Sequence, residues 1–271
     1  MLEQIDKPVK RVFYSGELPN GRAPTVAIVG TRKPTAYGKD TTYKLASDLA
    51  KKGVVIVSGL ALGVDGIAHT AACDAGGITL AIPPSGLPHI YPSSHRGLAE
   101  RILKSGGALI SEYEETAANA YQSNFLERNR IVSGLADAIL ITEAAARSGT
   151  LNTAAHALAQ DKEIFVVPGN ITSPMSAGCN ALIKQGAHVV TDADDIIEHI
   201  APQLLQQQTQ LNLGSNPVES AIITELQAGV RDGEEIQRKT GLSSTEFNTS
   251  LTMLEVQGII RALGANQWTL L

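Results

Sequence analysis

The sequence lacks most features that announce a chemistry. Aromatics make up only 4% of its 271 residues, and its 2 cysteines, Cys73 and Cys179, show no CxxC or other metal spacing. A disulfide framework and a cysteine-based zinc site are therefore not expected. The 6 histidines are scattered, without an HExxH pattern, so no metal centre is expected either. Both G-x-G-x-x-G and the G-x-x-x-x-G-K-[ST] loop are missing, which removes the fingerprints of a dinucleotide cofactor and of a P-loop; no cofactor is expected. No apolar run approaches the roughly 18 residues of a membrane span. The N-terminal MLEQIDKPVKR has no apolar core of the kind a signal peptide needs, so a soluble cytoplasmic chain that does not engage a membrane is expected. There is no excess of positive charge: the net charge is −5, and any contact with nucleic acid has to rest on a local cationic patch.

What is present is apolar sequence in short runs. Hydrophobic residues make up 43%, enough to bury a core. TVAIV (25–29), VVIVS (54–58), ITLAI (78–82), ALIS (108–111), AILIT (138–142), EIFVV (163–167) and HVV (188–190) are rich in Val and Ile and bounded by Gly or Pro. Strands buried on both faces of a parallel sheet read this way. Helical stretches, among them 36–51, 64–75, 94–105 and 150–160, separate most of them. The expected fold is α/β, a Rossmann-like doubly wound, mostly parallel sheet over residues 1–202. Residues 203–216 turn Gln-rich and end in a Gly-Ser-Asn-Pro break, which reads as a linker. Over 217–271, three helices (217–228, 233–240, 243–257) precede two short apolar segments separated by Gly264-Ala265-Asn266. That order describes a small winged helix-turn-helix domain.

In a doubly wound fold ligands sit beyond the carboxyl ends of the strands. Three loops stand there: Gly30-Thr31-Arg32, Ser58-Gly59-Leu60-Ala61-Leu62-Gly63-Val64-Asp65, and Glu143-Ala144-Ala145-Ala146-Arg147-Ser148-Gly149-Thr150. Each brings small residues and backbone amides to a helix start, a geometry that attracts phosphate, although tight βα turns would need glycine in any case. A fourth cluster, Phe125 with Arg128, Asn129 and Arg130, combines fork-shaped cations with a stacking ring. It reads equally as a solvated helix face with Phe125 in the core. Tyr91, Tyr113 and Tyr121 are weaker stacking candidates. Catalytic sets are sparse. Asp65 and His69 share a helical face, with Ser58 upstream, but a carboxylate bracing the loop and a histidine packed on the helix surface explain them as well.

The ordered run of motifs resembles the DNA-processing protein A (DprA, or Smf) family. The stretches that carry it are GTRKPTAYG (30–38), VSGLALGVDGIAH (57–69), SGLPHIYP (85–92), ISE (110–112), FLERNRIVSGLADAILITEA (125–144), RSGTLNTAAHAL (147–158), VVPGN (166–170) and GCNALIKQGA (178–187). The resemblance implies an extended Rossmann fold that binds single-stranded DNA, forms a homodimer through the same domain, and loads RecA onto incoming DNA in natural transformation. It implies no catalytic reaction. The implied DNA pocket falls on Gly30, Thr31, Arg32, Ser58, Gly59, Ala61, Gly63, Phe125, Arg128, Asn129, Arg130, Arg147, Ser148, Gly149 and Thr150. The sequence departs from the family in two places. It enters the fold almost at once, so the N-terminal helical domain of many members is expected to be missing. It also has Gln122 and Ser123 where some members place a lysine.

The C-terminal segment also resembles a domain that many members carry, yet its charge opposes a duplex-reading role. From Ser215 onward, four basic residues face seven acidic ones, and SSTEFNTSLTMLEVQ contains no Lys or Arg. Phosphate neutralisation supplies most non-specific affinity, so a protein-contact or regulatory role is expected. The competing enzyme reading is a nucleotide phosphoribohydrolase of a related Rossmann group. Those enzymes carry a PGGxGTxxE-like loop, whereas this chain has EAAARSGTLNTA, with Glu143 on the strand side.

Overall fold

The structure is a computed structural model describing residues 2–3, 5, 7–19, 21–117, 120–205 and 216–270. It divides into two units, Met1–Ala201 and Pro202–Leu271. Most of the expected linker, 206–215, lies outside the described residues.

In the first unit the strands are β1 (Phe13–Gly16), β2 (Thr25–Val29), β3 (Val55–Ser58), β4 (Thr79–Ala81), β5 (Ala108–Ser111), β6 (Ala138–Ile141), β7 (Glu163–Val166) and β8 (His188–Val189). They form one sheet in the order β1-β5-β4-β3-β2-β6-β7-β8. Every pairing from β5 to β8 is parallel; β1 is antiparallel to β5, with Phe13 opposite Ser111. The seven apolar runs are the seven parallel strands. The edge strand β1 was not expected because FYSG is short and mostly exposed, with no apolar run to betray it.

The helices are α1 (Ala36–Lys51), α2 (Val64–Asp74), α3 (Arg96–Lys104), α4 (Gln122–Gly134), α5 (Thr150–Ala159), α6 (Ala177–Lys184) and α7 (Asp194–Ile200). Ala27, Val29, Val55, Val57, Ile139 and Ile141 pack with Ile131 and Val132 of α4, Ala154 and Ala157 of α5, and Leu182 of α6. The alternate positions Val26, Ile28 and Ile56 are fully buried on the opposite face, as the two-residue period of a strand demands. There α1, α2 and α3 cover the sheet. Each such aliphatic side chain contributes about 1.5–3 kcal/mol through burial. The α1 helix starts where the Thr35 side chain accepts from the Gly38 amide, and it stops before Gly53, whose φ of 81° suits a residue without a Cβ.

The second unit contains α8 (Pro217–Gln227), α9 (Gly233–Thr240) and α10 (Ser244–Val256), then the antiparallel pair β9 (Ile260–Gly264) and β10 (Gln267–Leu270). Asn216, Asp232 and Ser243 cap the three helices, Ser243 in a reciprocal box with Glu246. Ala265 and Asn266 both have positive φ (47° and 59°), which a two-residue turn of the I′ kind requires. Ile222, Ile236, Phe247, Leu254 and Ile260 form its separate core.

Candidate nucleic-acid interface

The chain runs outward from β2 in both directions, so the strand order reverses between β2 and β6. A crevice is expected beyond the carboxyl ends at such a point. A cleft of about 650 Å³ lies there. Gly30, Thr31 and Arg32 follow β2 into it; Ala145, Arg147, Ser148, Gly149 and Thr150 follow β6. Helix α4 supplies a third wall through Gln122, Phe125, Leu126, Arg128 and Asn129, and Ala61, Asp65, Tyr91 and Thr153 also line the cleft. The two principal loops are tied together: the Thr31 amide donates to the Glu143 carbonyl at 2.8 Å. A Cβ on Gly30 would come within 2.6 Å of the Val64 side chain, so this close approach admits only glycine.

The cleft is cationic in an acid-rich protein. Arg32 and Arg147 are exposed at its surface, Arg128 lies in its floor, and Asp65 is the carboxylate among its lining residues. The Arg32 guanidinium carbon stands 4.8 Å from the centre of the Phe125 ring, and Phe125 meets Tyr91 edge-to-face at 5.4 Å. Guanidinium and rings thus form one continuous surface suited to phosphates and to the flat faces of bases. Ser148 Oγ donates to Thr150 Oγ1 at 2.9 Å and accepts from the Thr150 amide at 3.2 Å, which shapes the start of α5. Asn129 Nδ2 donates to Asn152 Oδ1 at 3.2 Å and so orients its amide across α4 and α5.

Arg128 behaves differently from the exposed arginines. Only 4% of it is accessible, and its Nη1 donates to the carbonyls of Gly59 and Ile82, just past the ends of β3 and β4. Burial lowers its pKa to about 10, while the neighbouring Asp65 carboxylate works in the opposite direction. Asp65 accepts from the Ala61 amide at 3.3 Å; burial raises its pKa, and Arg128 draws it back. Arg128 is therefore a tie between strand ends, with its Nη1 directed at two carbonyls.

The structure does not bring all the expected residues to the cleft. Ser58 is fully buried and donates to the Ile28 carbonyl at 2.6 Å, holding β3 against β2. Gly59 is buried where a Cβ would strike the Arg128 guanidinium, so it makes room for the tie. Gly63 lines a neighbouring hollow instead, at a φ of 82°. Arg130 faces away and pairs with Glu112 at 2.6 Å. Phe125, Arg128 and Asn129 lie three and four residues apart on one helical face; Arg130 falls off it, which the helical period alone foretells. His69 is not on the helix surface. It is fully buried with Nδ1 2.7 Å from Thr79 Oγ1, and burial pushes its pKa down to about 3. Asp65 and Gln122 line the cleft although the sequence argues other roles for them; Leu126 and Thr153 also line it, and both lie within the motif stretches 125–144 and 147–158 without being singled out there. Thr153 lies one turn beyond Thr150, and that spacing was the available signal.

Glu143 carries no free carboxylate into the cleft. Its two oxygens accept from the Thr35 amide at 2.8 Å and the Thr35 hydroxyl at 2.7 Å, bracing the start of α1. Among the described residues, no group of three or more His, Cys, Asp or Glu side chains could hold a metal ion, and no helix is long and apolar enough to cross a membrane.

Fold and cleft together define a Rossmann-like α/β protein with a basic, ring-lined crevice at the sheet's switch point. The chain belongs to the DNA recombination-mediator protein A family, whose model matches residues 1–201. It is 44% identical over 190 residues to Protein Smf of Escherichia coli and 39% identical over 208 residues to DNA processing protein DprA of Bacillus subtilis. These matches take in 70% and 76% of this chain, and 50% and 69% of the two relatives. The chain thus spans about half the length of the Escherichia coli protein. Among solved structures, DNA processing protein A from Streptococcus pneumoniae superposes with a TM-score of 0.69 at 35% identity, covering 73% of this chain and 69% of that one. The Helicobacter pylori protein, whose structure concerns its single-stranded DNA binding mode, superposes at 0.66 with 34% identity, covering 76% and 92%.

Proposed function

We propose that the protein is a non-catalytic recombination mediator that holds single-stranded DNA in the switch-point cleft, protects incoming DNA, and loads RecA onto it during natural transformation. The observation that carries this reading is that the Arg32–Phe125–Tyr91 surface and Arg147 line one crevice together with Gly30 and Gly149. Gly30, Thr31, Arg32, Ala61, Phe125, Asn129, Arg147, Ser148, Gly149 and Thr150 form the contact surface, with Arg128 beneath it. The family and the single-strand binding of the Helicobacter pylori relative support it. Glu143, whose oxygens are taken by Thr35, favours binding over phosphoribohydrolase chemistry. In this reading residues 1–202 bind DNA and form a homodimer, 203–216 link, and 217–271 form a winged helix that contacts protein.

Fluorescence anisotropy with labelled oligo-dT and duplex DNA across a salt series tests it. Single strands are expected to bind more tightly than duplex, with about 4 to 6 phosphate contacts and a logarithmic salt slope near −0.7 per contact. Equal affinity for the two forms removes the cleft model. Light scattering with and without oligo-dT tests the homodimer, and RecA filament assembly on oligo-dT coated with a single-strand-binding protein tests the loading role.

A further inference from the structure

A second hollow of about 630 Å³ lies between α1 and α2. Arg32 lines both it and the cleft, so the two adjoin at one residue. Lys33, Lys39 and His95 line the hollow as well, and its lining includes no Asp or Glu. Among the described residues, lysine ion pairs are made by Lys44, Lys52 and Lys239, and not by Lys33 or Lys39. Cations gathered over one concavity repel each other, and in a chain of net charge −5 they mark a local demand for an anion.

The backbone keeps this concavity open. Gly63 takes a left-handed φ of 82°, and a Cβ there would strike the backbone of Thr31 and Arg32. On Gly66, a Cβ would stand 2.7 Å from Cε1 of His95, whose Nδ1 is anchored 2.9 Å from the Leu60 carbonyl oxygen. The half-exposed ring of Tyr43 also lines the hollow, held in place by its hydroxyl, which donates to Asp74 at 2.9 Å.

We propose that this hollow is a second nucleotide subsite: a single strand held in the cleft continues over Arg32, Lys33 and Lys39 take the phosphates of the flanking nucleotides, and Tyr43 offers a face to a base. The inference rests on the reading of the cleft as a single-strand site. It commits to the same strand rather than a separate anion because Arg32 is common to both cavities.

The test compares the full-length wild type with the Lys33→Ala/Lys39→Ala double variant on oligo-dT of about 4 and about 12 nucleotides, a range spanning typical single-strand site sizes. Lys10→Ala/Lys184→Ala serves as a control for net charge. The double variant is expected to lose roughly tenfold in affinity for the long strand, and its salt slope there should fall by about 1.4. On the short strand it should match wild type, and the control should change neither. Equal loss on both lengths, or loss on neither, overturns the second subsite while leaving the cleft in place. So does saturable dTMP binding that the double variant lacks while its long-strand affinity is intact, since a free nucleotide would then be the occupant. Wild type that binds neither length overturns the cleft reading, and the subsite falls with it.

Discussion

Replacing Arg128 by methionine separates a structural arginine from a ligand-binding one. The residue is 4% accessible, and its guanidinium donates to two strand-end carbonyls, those of Gly59 and Ile82. The substitution strands both acceptors and leaves the buried Asp65 without its compensating cation. Leaving a buried acceptor without its partner costs about 1–3 kcal/mol. Part of that cost depends on pH, and its sign follows from Asp65. Burial raises the Asp65 pKa in the folded protein, so folding is penalised as pH rises from the unfolded carboxyl value through the folded one. Without Arg128 the folded value climbs further. The gap between variant and wild type should therefore widen from about pH 4 toward neutrality, and adding Asp65→Asn to Arg128→Met should recover part of it. Arg32→Ala, at an exposed position, should change stability by less than about 0.5 kcal/mol while weakening oligo-dT binding. Urea titrations of the wild type, the two single variants and the double variant at pH 4, 5.5 and 7, paired with anisotropy, provide the measurement. An Arg128→Met protein less than about 1 kcal/mol below wild type at pH 7, yet deficient in DNA binding, would refute the assignment of Arg128 as a tie.

Three further outcomes follow from single contacts. His69 titrates near 3 when folded and near 6.5 when unfolded, so native stability should fall on acidification through that window, by at most about 1.4 kcal/mol per pH unit; His69→Asn should flatten the profile, and an unchanged slope contradicts the neutral buried histidine. A chain ending at Ala201 should keep its oligo-dT affinity, because the exposed face of α10 presents Thr245, Asn248, Thr249 and Thr252 and no cation; a tenfold loss in a monodisperse sample reverses that assignment. Glu143→Ala strands the Thr35 amide and should cost about 1–3 kcal/mol, while wild type and variant alike should show no turnover of nucleoside monophosphates, NAD or short oligonucleotides; wild-type hydrolysis abolished in the variant would restore the enzyme reading.

The parallel strands were legible because burial on both faces leaves unbroken Val/Ile runs such as TVAIV and AILIT. Strand β1 was not, since an edge strand with one wet face needs no apolar run and its pairing depends on β5, nearly a hundred residues away. At the site, position beyond a strand end located Gly30–Arg32 and Arg147–Thr150 but said nothing of where a side chain points. Ser58 shows the gap: a hydroxyl turned to the next strand looks in sequence like its cleft-facing neighbours, whereas the turn of Arg130 toward Glu112 follows from the helical period. Arg128 was legible as a cation, while its burial depends on Gly59 and Ile82, which sequence places far from it.

The strand order also sets when the crevice can exist during synthesis. Its two walls are rooted in β2 and β6, and the contact that clamps their starts, the Thr25 amide on the Asp137 carboxylate, spans 112 residues of chain. A nascent chain can assemble β2, β3 and β4 with α1 and α2 as soon as they leave the ribosome, because those contacts are sequential. Arg32 then stands on a finished shelf with no opposite wall, and the edge of β2 that will receive β6 is an open row of unpaired amides and carbonyls. Only after α4 crosses the sheet and β6 zips onto that edge does the cleft close around anything. Pairings of such separation are slow to form. The candidate ligand site therefore cannot mature until the chain has emerged past β6 and the start of α5, and chains truncated or stalled before that point should expose a sticky strand edge rather than a weakened version of the function.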